Sequence, residues 1–337
     1  MLVARSEYQP GSIWIYAPNK GAPIAFAILF ALSGAVHAWQ NIKYKSWRVT
    51  GLYPWASILF TAGFILRTIG AFGEWDHLGI FISSTVLLLA GPPVYEAANF
   101  LTLGRILYYI PYHSPIHPGR VFTTFLAVGV VIELFTANGG ALSANQSNPE
   151  SKRKTGDALL KTALILQLVL MVAFVSLILR FAYRCHKAGL LTRKLIRLLT
   201  VLLISCALIT ARTVFRTVEH FAVVEVWNNL EKVRKGEADI HPLIAEEWYF
   251  WVFEVAVMFC NTVMLNIFHP MTRLPRSNKI YLAPDGVTEI EGPGFKENRP
   301  TWLTFIDPFD ISGMIMGRKH ERYWEPEQVK AANGDQP

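Results

Sequence analysis

The chain has 337 residues, 52% of them hydrophobic and only 17% charged, with a formal net charge of +7. The mean hydropathy of +0.30 is modest only because everything after Pro270 is polar or mixed and dilutes a strongly apolar body. This composition points away from a soluble domain, and the basic residues sit beside apolar stretches, where they orient spans rather than bind nucleic acid.

A helix that crosses the hydrocarbon core needs about 20 mostly apolar residues. Seven stretches meet that length, at about 21–40, 50–71, 78–102, 121–141, 159–182, 197–219 and 248–268. The expected fold is therefore an all-α integral membrane protein, a bundle of seven transmembrane helices covering residues 21–270. Residues 1–20 form a short preceding segment, and 271–337 read as a poorly ordered tail. No signal-peptide pattern precedes the first span, which is expected to be retained. Cys185, Cys206 and Cys260 show no CxxC spacing, so a disulfide framework is not expected.

The loops 41–49 and 183–197 carry Lys43, Lys45, Arg48, Arg184, Lys187, Arg193, Lys194 and Arg197 with no carboxylate. Arg273, Arg276 and Lys279 follow the last span, whereas 72–77 and 220–247 are acidic. The excess of positive charge on cytosolic loops puts the N-terminus outside and the C-terminus in the cytosol. The loop 142–158 is a basic exception, yet it holds the sequon Asn145-Gln146-Ser147, a glycosylation acceptor that agrees with an outside placement. The plasma membrane is the expected location rather than the endoplasmic reticulum.

Ionisable groups interrupt the spans, and each costs roughly 2.5–3.5 kcal/mol near the bilayer centre unless it meets a partner or water. On the expected topology Arg67, Glu133, Gln167, Arg212, Arg216, Glu219 and Glu254 all fall in the outer half. Arg212, Arg216 and Glu219 are spaced i, i+4, i+7 and share one helical face. Three arginines balance three glutamates, which suggests an ion-paired cluster lining an outward cavity or, equally, a static brace. Glu96 lies in the inner half of the third span, just after Pro92-Pro93, where a proline pair frees backbone carbonyls.

His37 ends the first span and His269 the last, both on the cytosolic side. Imidazole is a common ligand, so a haem or metal there is an alternative, but no HxxH or HExxH spacing accompanies them and no cofactor is expected. Ala27, Ala31 and Ala35 form a small-residue stripe that predicts a packing face on the first span. No P-loop, nucleophile elbow or dinucleotide fingerprint is present, so this chain alone does not drive transport with ATP.

The chain carries Tyr16-Ala17-Pro18, Phe30, His37, Gln40 and Trp47, then Gly63-Phe64 with Arg67. Further along come Pro92, Ala97, Phe100, Leu103-Gly104-Arg105, Gly139-Gly140, Gln167 and Phe174. The end contributes Arg212, Phe215, Arg216, Glu219, Glu247, Glu254, Met258, Asn266 and His269-Pro270. In this order and spacing they resemble the fungal lipid-translocating exporter family, the aminocholesterol-resistance or RTA-like proteins, over about residues 14–272. The resemblance implies a seven-span exporter of lipids or lipophiles. This chain departs from the pattern. The family's second-span acid is Phe60, its fourth-span Asp and Gln are Gly129 and Thr136, and its last-span Asp survives only as Glu254. Glu96 and Glu133 are acids the pattern lacks, which implies a rebuilt cavity and a different ligand.

Three functions compete. The first is a transporter or translocase of an amphipathic lipid or lipophilic small molecule, acting in export or resistance. The second is a membrane-embedded enzyme on a hydrophobic metabolite of fungal secondary metabolism, with Glu96, His37 and His269 as acid–base or ligand groups. The third, a seven-span sensor, rests on helix number alone.

Overall fold

The computed structural model describes residues 18–73, 76–144, 149–228, 242–283, 285–292 and Asp307. Seven of its helices are long and apolar enough to cross a membrane. They comprise α1 (Gly21–Tyr44), α3 (Leu52–Ala71), α4 (Leu78–Tyr109), α5 (Pro118–Ala144), α6 (Glu150–Lys187) and α7 (Arg193–Asn228). The last span is composite: α9 (Trp248–Phe250), a π-helical turn (Trp251–Ala256) and α10 (Val257–Ile267). Short helices α2 (Trp47–Thr50) and α8 (Pro242–Ala245) lie between spans.

The spans pack in chain order, α1 on α3, α3 on α4 and so on to α7, and the last span closes against both α7 and α1. A further contact of α4 with α7 crosses the ring. Successive spans run in opposite directions. One end of the bundle therefore holds Gly21, Ala71, Leu78 and Trp248; the other holds Tyr44, Leu52, Tyr109 and Arg193. These are called below the Gly21 end and the Tyr44 end.

Burial follows helical periodicity and is inverted outward, as a lipid-facing surface requires. On α1 the buried stripe is Pro23, Ala27, Phe30, Ser33, His37 and Gln40, while Ile28, Leu32, Trp39 and Ile42 are exposed. The alanine stripe expected to pack is thus corrected: Ala31 and Ala35 face outward and only Ala27 is buried. A larger aromatic and polar face fills the bundle interior, because lipid already satisfies small apolar groups and rewards burying the polar ones.

The turn from α1 into α3 is tied by side chains. Lys45 adopts a left-handed φ of 53°, and its N–H reaches back to the carbonyls of Asn41 and Ile42. Ser46 and Thr50 hydroxyls both donate to Asn41 Oδ1, at 2.9 and 2.6 Å. On α4 the helix runs unbroken through Pro92 and Pro93. Gly91 just before them lets α3 approach: a Cβ there would lie 2.3 Å from the Phe60 ring. Further round, Phe100, Phe125 and Phe174 join α4, α5 and α6, with ring centroids 4.7–5.2 Å apart.

Past the last span, the structure adds something the apolar pattern did not signal. The sequence reads residues from 271 as a loose tail, yet Pro270–Thr272 forms a 3-10 turn, and β1 (Ile280–Leu282) pairs antiparallel with β2 (Glu289–Glu291). Tyr281, Leu282 and Ala283 are buried, and β1 packs on α4. Glu289 accepts from the Tyr109 hydroxyl at 2.7 Å and pairs with Lys194 at 3.4 Å. Two apolar runs of the tail, Trp302–Ile306 and Ile311–Met316, lie outside the described residues, as does Asn145.

Candidate charge-cluster site

Glu254 sits within the π-helical turn of the last span, 2% exposed. A π-turn inserts one extra residue per turn, and such turns recur at functional sites. Here the turn buries Glu254 and Val255 side by side and aims the carboxylate at α7. Arg212 Nη2 donates to Glu254 Oε1 at 2.9 Å, with the two side chains 5% and 2% exposed. One turn on, Arg216 reaches Glu254 Oε2 at 3.3 Å and also pairs with Glu219 on its own helix. The result is an alternating chain, Arg212–Glu254–Arg216–Glu219. The i, i+4, i+7 spacing sets Arg212, Arg216 and Glu219 along one face of α7, and Glu254 reaches that face from the last span.

Arg67 enters from α3 at the same end, but its direct partner is Glu247, 2.8 Å away. Its guanidinium also lies over Phe250 and Trp251, 4.4 and 5.3 Å from the ring centroids. Glu247 accepts in addition from the backbone N–H of Asn19 at 2.8 Å. The sequence reading balances the three arginines with Glu133, Glu219 and Glu254; in the structure Glu247, not Glu133, pairs with Arg67. The missed signal is topological: Glu247 immediately precedes the last span, at the end where Arg67 finishes α3.

Glu133 is half-buried on α5 and makes no ion pair among the described residues. Glu96 and Gln167, which simple depth assignment puts in opposite halves, meet instead: Gln167 Nε2 donates to Glu96 Oε1 at 2.9 Å. Both sit at mid-depth, between the cluster and a second polar layer. The long, overrunning helices α4 and α6 defeat a depth read from apolar windows alone.

That second layer lies toward the Tyr44 end. His37 Nε2 and Thr262 Oγ1 share a hydrogen bond of 3.1 Å, and Ser33 Oγ bonds the same hydroxyl at 2.9 Å. Gln40 Nε2 donates to the Asn266 carbonyl at 2.7 Å. The Tyr53 ring lies 5.2 Å from the His37 ring and 6.4 Å from the His269 ring. The structure thus brings His37 and His269 into one neighbourhood, but Glu96 is not part of it. Among the described residues no three His, Cys, Asp or Glu side chains converge as a metal site would need.

Seven apolar spans around a buried, charge-balanced cluster define a polytopic integral membrane protein. The profile of the family described as RTA1 like protein matches residues 55–277, and the chain belongs to that family. It is 38% identical over 331 residues to the lipid-translocating exporter-like protein RTA1 of Leptosphaeria maculans, covering 95% of this chain. The match spans only 62% of that relative's length. A protein of the same name from Ajellomyces capsulatus is 27% identical over 80% of this chain and 84% of its own. Protoporphyrin uptake protein 1 of Saccharomyces cerevisiae is 25% identical over 76% of this chain and 91% of its own. No solved structure matches the chain.

Proposed function

We propose that this protein translocates an amphipathic lipid or lipophilic small molecule across the membrane in which it sits. The observation that carries the reading is the Arg212–Glu254–Arg216–Glu219 chain, built into a π-turn of the last span, with the Arg67–Glu247 pair at the same end. Desolvated charges in lipid are retained where polar groups must pass or a bistable element must switch, and a local π-turn is a place where a helix can change register. The family naming supports the same class, since relatives bear lipid-exporter and protoporphyrin-uptake names and both cargoes are amphipathic.

The basic loops support a cytosolic Tyr44 end with the cluster toward the outer leaflet, the arrangement an exporter at the plasma membrane needs to release cargo outward. Loss of the family's acids at Phe60 and Gly129 favours a cargo other than the family's usual one. The test is leaflet exchange of a fluorescent short-chain phospholipid in proteoliposomes, read by quenching from outside. Wild type is expected to expose the shielded pool, and Glu254→Gln and Arg216→Ala to abolish exchange while remaining folded by melting temperature. Wild-type exchange in both variants removes the cluster from the mechanism.

A further inference from the structure

A narrow cavity opens at the Tyr44 end between α3, α4, α7 and the last span. Tyr53, Asn99 and Thr102 form its polar wall, the leucines of α7 and Phe268 its apolar wall, and Arg197 and Arg273 its charged edge. Arg197 is exposed and Arg273 half-buried, so both cations stand at the open side. Neither meets a carboxylate among the described residues, in contrast to Arg67, Arg212 and Arg216. The turn that carries Arg273 is braced, because Arg105 Nη2 donates to the Pro275 carbonyl at 2.6 Å.

The inner wall is also prepared for a ligand. Thr102 donates its hydroxyl to the Ala98 carbonyl at 2.8 Å, so the Tyr53 hydroxyl is the donor in their 3.1 Å bond. Asn99 is 1% exposed; its Nδ2 donates to Ser205 at 2.9 Å, while its Oδ1 accepts no hydrogen bond. A buried amide oxygen left so costs about 1–3 kcal/mol, and a donor on the ligand offsets that. The whole enclosed cavity has a volume of about 20 Å³, room for one hydroxyl-sized group.

We propose that this cavity is the head-group site for an amphipathic anion. The phosphate or carboxylate lies between the Arg197 and Arg273 guanidiniums, whose planar forks suit oxyanions. Its apolar stem stays outside the cavity against the exposed Phe268, and a hydroxyl of the phosphate group enters to donate to Asn99. The site lies at the opposite end from the charge cluster, so it serves cargo entry rather than the passage step. The ligand class rests on the translocation reading; the binding measurement does not depend on transport.

The experiment is native mass spectrometry of the full chain in detergent with dioleoylphosphatidic acid, dioleoylglycerol or inorganic phosphate. Wild type should retain one phosphatidic acid per chain in preference to the uncharged diacylglycerol. Arg197→Gln with Arg273→Gln should lower that occupancy about tenfold at unchanged melting temperature. Arg193→Gln, at the same end but outside the cavity, should leave it intact. Equal retention by the double variant, or equal binding of dioleoylglycerol, overturns the proposal. Displacement by equimolar inorganic phosphate also overturns it, by assigning the arginines to a free anion. Lost lipid exchange in Glu254→Gln with phosphatidic acid still bound keeps this outcome separate from that of the translocation reading.

Discussion

Arg212 and Glu254 lie 2.9 Å apart across α7 and the last span, and Arg216 shares the same carboxylate. Removing one partner from a buried pair leaves an uncompensated charge and costs about 3–5 kcal/mol. Glu254→Gln strips both arginines of this partner, whereas Arg212→Met leaves Glu254 with Arg216. We therefore expect the glutamate variant to melt at the lower temperature in detergent. A larger loss for Arg212→Met would mean that the pairing is not organised around Glu254.

Arg67 combines an ion pair with Glu247 and stacking on Phe250 and Trp251. Lysine keeps the charge but loses the planar fork and most of the stacking. Arg67→Lys should destabilise by about 1–2 kcal/mol, visible as a lowered melting temperature. No change would show that charge alone holds this corner.

Two adjacent glycines on α5 should behave oppositely. A Cβ on Gly139 would lie 2.9 Å from the Gly156 carbonyl on α6, whereas one on Gly140 meets nothing within 4 Å. Gly139→Ala should push α5 from α6 and cost about 1–3 kcal/mol. Gly140→Ala should be neutral or stabilising by about 0.5–1 kcal/mol, since alanine is the better helix former. Parallel thermal melts decide it, and equal effects would refute the close crossing.

The hairpin after the last span should be pH-sensitive. The hydrogen bond from Tyr109, aided by the Lys194 charge, holds the Glu289 carboxyl below the usual carboxylate range. Its docking contribution is therefore complete above the unfolded value of about 4.3 and is lost as pH falls through the lower folded value. Hydrogen exchange over Ile280–Glu291 should accelerate in that acid window, and Tyr109→Phe should move the onset to higher pH. Acid-insensitive exchange, alike in both proteins, would show that Glu289 does not latch the hairpin.

Much of this protein was legible without coordinates, for a physical reason. Whether a segment crosses lipid depends on the summed transfer energy of about 20 neighbouring residues, which is a local property. The seven spans and the shared face of Arg212, Arg216 and Glu219 follow from it. The resemblance carried by scattered motifs likewise pointed to the RTA1-like family. What each charge meets is not local. The partners of Arg67 and Gln167 lie 180 and 71 positions away, and which helices become neighbours is decided by packing round the whole ring. Only that packing exchanged Glu133 for Glu247 in the charge balance, turned Ala31 and Ala35 outward, and brought both His37 and His269 close to Tyr53. The π-turn is the sharpest case: nothing in Trp251–Ala256 announces it, yet Glu254 lies within it and meets both arginines.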